Sequence, residues 1–387
     1  MVPRLLILAL LAPATAALGA DGLDAAAGRA LFERNWISAP ASTRAGEGLG
    51  PLYDARSCGA CHEGAGPGRV ETVGEGLVVR LGRRDGGGDP VYGSQLQTRA
   101  LPGVPPEAEV SVRWSTAGGA RRPSLALSDY GYGALGAGTH AALRRAPSLF
   151  GLVALETVSD AEILSHAAPG HGQPAWVTDA AGQRRLGRWG WKAAEADLGD
   201  LTDSALQRDI GVSTPARPEP WGECTPSEAA CRTLAGTVGV EASGALRGLI
   251  VAYLRALPAP PRAGDPEGAR AFQQAGCGAC HRSLRTPDGE EVRAGTDLLL
   301  HDLGPGLDDG IAEGDARPPE WRTAPLWNLS AELAAGGLLH DGRARSIAEA
   351  VRWHGGEAAG ARARFAALPP GERAGLERYL LRQQQRG

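Results

Sequence analysis

Two segments of this 387-residue chain carry residue types at a spacing that serves one kind of chemistry. They are Ser57-Cys58-Gly59-Ala60-Cys61-His62 and Gly276-Cys277-Gly278-Ala279-Cys280-His281. Two thiols at the C-x-x-C-H spacing add across the two vinyl groups of one porphyrin, and the adjacent imidazole reaches the iron as proximal ligand. The pair of motifs therefore predicts two covalently bound haem c groups, with His62 and His281 as proximal ligands. The competing uses of such a cysteine pair are a disulfide and a zinc site. Zinc needs further Cys or His ligands nearby, and no His follows His62 until His140.

The rest of the composition narrows what completes each iron. Met1 is the only methionine and stands at the very start of the chain, so no haem here is expected to take a Met ligand, the ligation that raises a haem potential. For the second haem the distal candidates are His301, His340 and His354. For the first, no His, Met or Lys lies between His62 and His140. Its distal side is then either vacant or filled from afar by His140, His166, His171 or Lys192, the single lysine. Burial lowers an amine's pKa and makes it a possible iron ligand. The other two of the six cysteines, Cys224 and Cys231, read as a small loop disulfide of an oxidising compartment.

The elements that must position these groups are legible in outline. Arg4, the apolar run Leu5 to Leu11 and the small residues Ala14-Thr15-Ala16 read as a cleaved signal peptide over residues 1–20, which points to a bacterial periplasm. No later stretch is apolar enough to span a bilayer. The slightly negative net charge, −4, makes nucleic acid an unfavourable partner. Gly28-Arg29-Ala30-Leu31-Phe32 before the first motif is echoed by Gly268-Ala269-Arg270-Ala271-Phe272 before the second. Ala146-Pro147-Ser148-Leu149-Phe150 is echoed by Ala324-Pro325-Leu326-Trp327, and helix-like stretches follow both, Ser159 to Ala167 and Ser346 to His354. This weak repeat predicts two related units. The expected fold is mainly α: two cytochrome c-like domains, 21–256 and 263–387, with a small β-rich insertion at about 70–132 in the first. The Pro-rich run from Leu257 to Arg262 ends the helix expected over Gly244–Ala256. A closing helix is expected from Gly371 to Gln385.

The chain resembles the di-haem oxidoreductases of the thiol-oxidoreductase type, a family distantly similar to the bacterial di-haem cytochrome c peroxidases and to the methylamine-utilisation di-haem enzyme. The resemblance covers nearly all of the chain after the signal peptide. It is carried by Gly48-Leu49-Gly50-Pro51, Arg145-Ala146-Pro147 with Leu155-Glu156, Gly190-Trp191-Lys192-Ala193, and the run Thr296 to Asp302. Further carriers are Glu320 to Trp327, Leu339-His340-Asp341-Gly342-Arg343-Ala344, and Trp353-His354-Gly355-Gly356-Glu357. One departure is Leu303, where the family often has Met after His-Asp.

The resemblance implies roles. In the peroxidases the helix after a segment like His340 to Ala344 ends in Ala-Val-x-x-Met, and that Met is an iron ligand. Here the place reads Ala350-Val351-Arg352-Trp353-His354, which implies bis-His ligation by His281 and His354. His301 and His340 then become hydrogen-bonding groups. Glu156 stands where the peroxidases hold a distal Glu and is the candidate acid–base group. Arg145 is a candidate for steadying a propionate or a developing anion. Lys192, in a family motif, is a candidate ligand of the first haem or a salt-bridge partner. The expected activity is peroxidase-like: an open first haem meets peroxide or oxygen, a bis-His second haem transfers electrons, and a small redox protein or cytochrome serves as electron partner. The alternatives are a di-haem electron carrier without substrate and an oxidase of an organic or protein substrate. A thiol-oxidising role rests on the family's name alone.

Overall fold

A computed structural model describes residues 20–40, 46–71, 73–179, 181–235, 239–261 and 264–382. The signal-peptide reading falls on 1–19, outside the described residues except for its last position. Among the described residues no helix is long and apolar enough to cross a membrane.

The fold is a mixture of short helices and small sheets, which corrects the expectation of a mainly α chain of cytochrome c-like domains. Among the described residues, thirteen strands are distributed over six sheets. The strand content also extends well past the expected insertion. Leu77–Gly82 lies between Gln95–Leu96 and His140–Arg145 in an antiparallel sheet, with Leu77 paired to Arg145 and Gly82 to His140. Further two-stranded ladders join Trp176–Thr178 to Arg184–Leu186, Leu284–Arg285 to Glu291–Val292, and Leu300–Asp302 to Glu320–Arg322. These short ladders escape sequence reading because two or three residues cannot show an alternating pattern. The long hairpin, Glu109–Ala117 with Ala120–Ser128, turns at Gly118-Gly119, both at positive φ. A two-residue hairpin turn of that hand requires this conformation.

The echoed segments are helices that cross a partner at a glycine. Ala20–Glu33 packs on Gly244–Ala256, and a Cβ at Gly28 would overlap the Leu249 carbonyl. Pro266–Gln274 packs on Pro370–Leu381, and a Cβ at Gly268 would overlap Tyr379 and the Gly375 carbonyl. Four residues on, Phe32 and Phe272 are buried on the same face as each glycine, as the helical repeat dictates. Pro266–Gln274 runs directly into the second motif, whereas Ala20–Glu33 meets the first across the chain, with a Cβ at Gly59 falling 3.4 Å from the Glu33 Cα. Local caps sharpen the boundaries. Asp265 accepts from the Gly268 amide at 3.0 Å with Pro266 in the first turn, and Ser346 accepts from Glu349 at 3.1 Å. Such caps are worth about 1 kcal/mol each.

One apolar core draws on both ends of the sequence: Phe32, Leu155, Trp189, Leu198 and Ile250 pack with Leu284, Leu298, Leu299 and Trp327. A second gathers Phe272, Leu307, Trp321, Ile347, Trp353, Phe365 and Leu376. A third lies under the β region. Cys224 and Cys231 form a disulfide.

Candidate functional site

Between the first two cores lies a cavity of about 700 Å³ whose wall contains both motifs: Cys58, Cys61 and His62, and Cys277, Cys280 and His281. Cys58 and Cys61 bound one short helical turn, Cys58–Cys61, and Cys277 opens a second, Cys277–Ala279, which Cys280 caps. The first turn is capped by Ser57, whose hydroxyl accepts from Ala60 at 3.2 Å. None of these four cysteines is in a disulfide. Burial pushes Cys58 up to about 12 and Cys277 up to about 11.

The second motif faces another imidazole across the cavity. His281 Nδ1 lies 2.9 Å from the Gly295 carbonyl, and His354 Nδ1 lies 2.8 Å from the Ala350 carbonyl. A carbonyl only accepts, so in each ring Nδ1 carries the proton and Nε2 keeps a free lone pair. Such backbone partners fix the orientation of metal-binding imidazoles. The two ring centres are 6.5 Å apart. Two metal–nitrogen bonds of about 2 Å, plus roughly 1 Å from each nitrogen to its ring centre, require about 6 Å. Burial depresses both imidazoles, His281 to about 4, which keeps the lone pairs free at neutral pH. His354 caps the Ile347–Trp353 helix, so the Ser346 cap and the helix length together aim it.

The first motif is different. His62 is buried, and burial lowers its pKa to about 4. Its Nδ1 has no hydrogen-bond partner among the described residues. The aromatic ring beside it is that of Phe32, 6.4 Å away. His171 lines the same cavity but is exposed at its surface. A buried imidazole with an unsatisfied Nδ1, beside Cys58 and Cys61 in a large apolar-walled space, is the environment that a covalently attached haem would complete. The residues present fit the group at both motifs.

One wall of the cavity is polar. Arg80, Gln95, Arg144, Arg208, Asp209 and Glu313 line it. Asp209 belongs to a π-helical segment, Leu206–Ile210, a feature frequent at functional sites. Gln95 Nε2 donates to Asp209 at 2.8 Å and to Asp54 at 2.9 Å. Desolvation raises the pKa of Asp209. Glu313 goes the other way: burial would raise it, but Arg80, Arg144 and Arg208 hold it down at about 2. Two carboxyl groups of one wall are thus pushed apart, the pattern by which a proton-handling group is told from a fixed anion. Neither residue was singled out from the sequence. The only available signal for Asp209 was its place among alternating charges in Arg208-Asp209, which is common on any helix surface.

The residues singled out from sequence are dispersed. Glu156 does not line this cavity: its carboxylate is held by Arg255 through two bonds of 2.8 and 2.7 Å, at the edge of a separate cleft. Lys192 is buried, and its Nζ donates to the carbonyls of Arg317 at 3.1 Å and Pro318 at 2.8 Å and to Asp309 at 3.3 Å. Three donors with three acceptors leave no lone-pair role for this amine at an iron. Arg145 does line the cavity. Burial lowers it to about 10, its guanidinium pairs with Glu332 and donates to the Gly337 carbonyl, and its own carbonyl takes the Trp191 indole N–H at 2.7 Å. His340 stacks on Trp321 with ring centres 3.8 Å apart, and Trp191 meets it edge-on at 6.5 Å. His301 is engaged by Asp297 at 3.0 Å and Glu357 at 2.7 Å. Burial opposes its charge, yet Asp297 carries its pKa up to about 11. His166 binds Glu162 and Arg282. Leu298 and Leu339, in the left-handed region at φ 62° and 72°, turn the chain beside Asp297 and His340. Such strain costs of order 1–3 kcal/mol and collects at functional sites.

Comparison with known proteins adds one finding. A family model described as "Di-haem oxidoreductase, putative peroxidase" matches residues 137–382, more than half of the chain. The matched span contains the second motif and His354 and begins after the first motif. No curated protein matches the chain.

Proposed function

The chain belongs to the di-haem oxidoreductase family, and on that footing we propose that it is an exported, periplasmic c-type peroxidase with two unlike haem sites. Cys58, Cys61 and His62 would hold one group, and Cys277, Cys280, His281 and His354 the other. Bound there, the haems would supply one-electron redox chemistry.

The observation that supports this reading is the asymmetry of the two motifs within one cavity. At the second, the His281 and His354 rings lie 6.5 Å apart between centres, and these two imidazoles would hold a haem suited to electron transfer. At the first, His62 has Phe32 as its aromatic neighbour and no second imidazole stacked near it among the described residues. Cleaving a peroxide needs a proton delivered to the departing oxygen. Asp209, raised by desolvation and steadied by Gln95, is the carboxyl group of the cavity suited to hold that proton at its Oδ atoms. Glu313, pinned by three arginines, stays an anion and balances their charge. Arg145 and Trp191, joined by the indole-to-carbonyl bond, are part of the wall of that cavity. A small redox protein or cytochrome is the proposed electron partner.

The test is low-temperature electron paramagnetic resonance of the haem-loaded protein, fully oxidised and half-reduced, before and after hydrogen peroxide. The expected result is a high-spin signal beside a low-spin bis-nitrogen signal, the former lost on adding peroxide. Two low-spin signals in every state, unmoved by peroxide, would overturn the proposal and leave an electron carrier.

A further inference from the structure

Many exposed arginines of this chain are paired: Arg29 with Glu33, Arg84 with Asp308, Arg293 with Glu291 and Arg317 with Glu320. Three at the mouth of the two-motif cavity are not. Arg352, Arg362 and Arg364 are exposed, and among the described residues none of them has a carboxylate in ion-pair contact. Each guanidinium donates to a backbone carbonyl instead: Arg352 to Gly119 at 2.5 Å, Arg362 to Arg352 at 3.5 Å, and Arg364 to Ala275 at 3.2 Å. A neutral carbonyl positions a cation without cancelling its charge, and most of the guanidinium donors stay free.

Two observations place these charges at the second motif. Arg362 and Arg364 line the cavity as well as being exposed, so the cavity meets solvent beside them. A Cβ at Gly276 would overlap the Arg364 guanidinium, and the charge of Arg362 acts on His354. The arginines therefore flank the pocket on its Cys277 side and on its His354 side. The carboxylates on the same stretch of chain are turned elsewhere. Glu349 accepts from the Arg345 amide at 2.7 Å, and Glu357 is drawn in to His301 at 2.7 Å. The rim is thus positive in a chain whose net charge is −4.

We propose that this rim docks an acidic redox protein, which exchanges electrons with the group held by Cys277, Cys280, His281 and His354. The proposal rests on the haem reading of that site and not on peroxide chemistry at the first. Uncompensated cations around a mouth steer an acidic partner toward it and turn a basic one away. The planar guanidinium fork matches the two oxygens of a partner's carboxylate.

The test is stopped-flow oxidation of the dithionite-reduced, haem-loaded protein by oxidised plastocyanin, an acidic copper protein, and by ferric cytochrome c, a basic haem protein. In each reaction one electron leaves a ferrous haem of this chain and reduces Cu(II) to Cu(I) or Fe(III) to Fe(II). Added salt is expected to slow plastocyanin by at least about tenfold and to speed cytochrome c, because it screens attraction in one case and repulsion in the other. R352Q/R362Q/R364Q is expected to slow plastocyanin by about tenfold at low ionic strength and to flatten its salt dependence, with haem content and the low-spin signal unchanged. R352K/R362K/R364K keeps the charge and is expected to keep the salt dependence. A plastocyanin rate unmoved or raised by salt, or a salt dependence that survives the Gln substitutions, would overturn the docking face. Gln substitutions that shift the haem midpoint potential but leave the salt dependence in place would assign the guanidiniums to the haem itself and overturn it too. No peroxide takes part, so salt-sensitive plastocyanin oxidation in a protein whose haem signals ignore peroxide would keep this face and remove the peroxidase. A chain loaded with haem at the first motif alone would remove both.

Discussion

Replacing Glu156 by Gln separates two accounts of this molecule by orders of magnitude. If Glu156 moved the proton at a haem-bound peroxide, its loss would cost about 10²–10⁴-fold in rate. The structure instead puts its carboxylate on Arg255 through bonds of 2.8 and 2.7 Å, outside the cavity that contains both motifs. The Arg255 side chain is 52% exposed and that of Glu156 24%. A partly exposed pair of this kind is worth about 0.2–1 kcal/mol after solvent screening. At roughly 2 cal/mol/K per residue, unfolding of a chain this long has an entropy of about 0.8 kcal/mol/K, so E156Q is expected to lower the melting temperature by only about 1 °C. The assay is stopped-flow oxidation of the pre-reduced protein by hydrogen peroxide, followed by haem absorbance, with E156Q and R255Q measured side by side. Both are expected within about twofold of the parent, well under the range of general acid–base effects. A hundredfold loss in E156Q, with full haem content and an unaltered R255Q, would refute the reasoning from geometry and return the proton to Glu156.

Other expectations follow from the same cavity. Asp209→Asn is expected to slow the peroxide reaction by about 100-fold without loss of haem; a rate within twofold would remove Asp209 from proton transfer. His354→Ala is expected to convert the low-spin bis-nitrogen signal to high spin while leaving the first site's signal in place, and an unchanged spectrum would show that another group ligates opposite His281. Asp54 is raised to about 7 by burial and then by its neighbour Asp209. Between the unfolded value near 4 and about 7, the folded chain holds a proton that the unfolded chain has lost, so stability falls as pH rises through that window. Denaturant unfolding at pH 5 and pH 7 should show this fall in the parent and a flatter response in Asp54→Asn; equal slopes would contradict it.

How much of this was readable beforehand depends on the range of the interaction that decides each feature. The Cys-x-x-Cys-His segments are local: thiols and imidazole act within one turn, so spacing alone announces them. The helix over Gly244–Ala256 forms over those residues, because a Ser243 cap and a Pro after Leu257 are also local signals. The echo of Gly28 and Phe32 in Gly268 and Phe272 became two close helix crossings for the same reason. The strand content was underestimated because ladders such as Leu300–Asp302 with Glu320–Arg322 are made by pairing between distant short segments.

Side-chain assignment shows the same division. Lys192 and Glu156 stand in motif-like surroundings in the sequence, but whether an amine meets an iron or two carbonyls depends on chain segments more than a hundred residues away. Asp209 carries only an alternating-charge pattern common to any helix surface; folding against Gln95 is what gives it a wall to line. The sequence by itself determined that this chain carries two haem-type motifs, the helices that present them and the scarcity of further iron ligands. Only the tertiary structure decided that the motifs share one cavity, that His354 stands opposite His281, that Glu156 turns away to Arg255, and that Arg362 and Arg364 stand at the cavity's mouth. The physical reason is that covalent spacing and helix capping act within a few residues, whereas burial, charge pairing and cavity shape are sums over residues that meet only when the chain is folded.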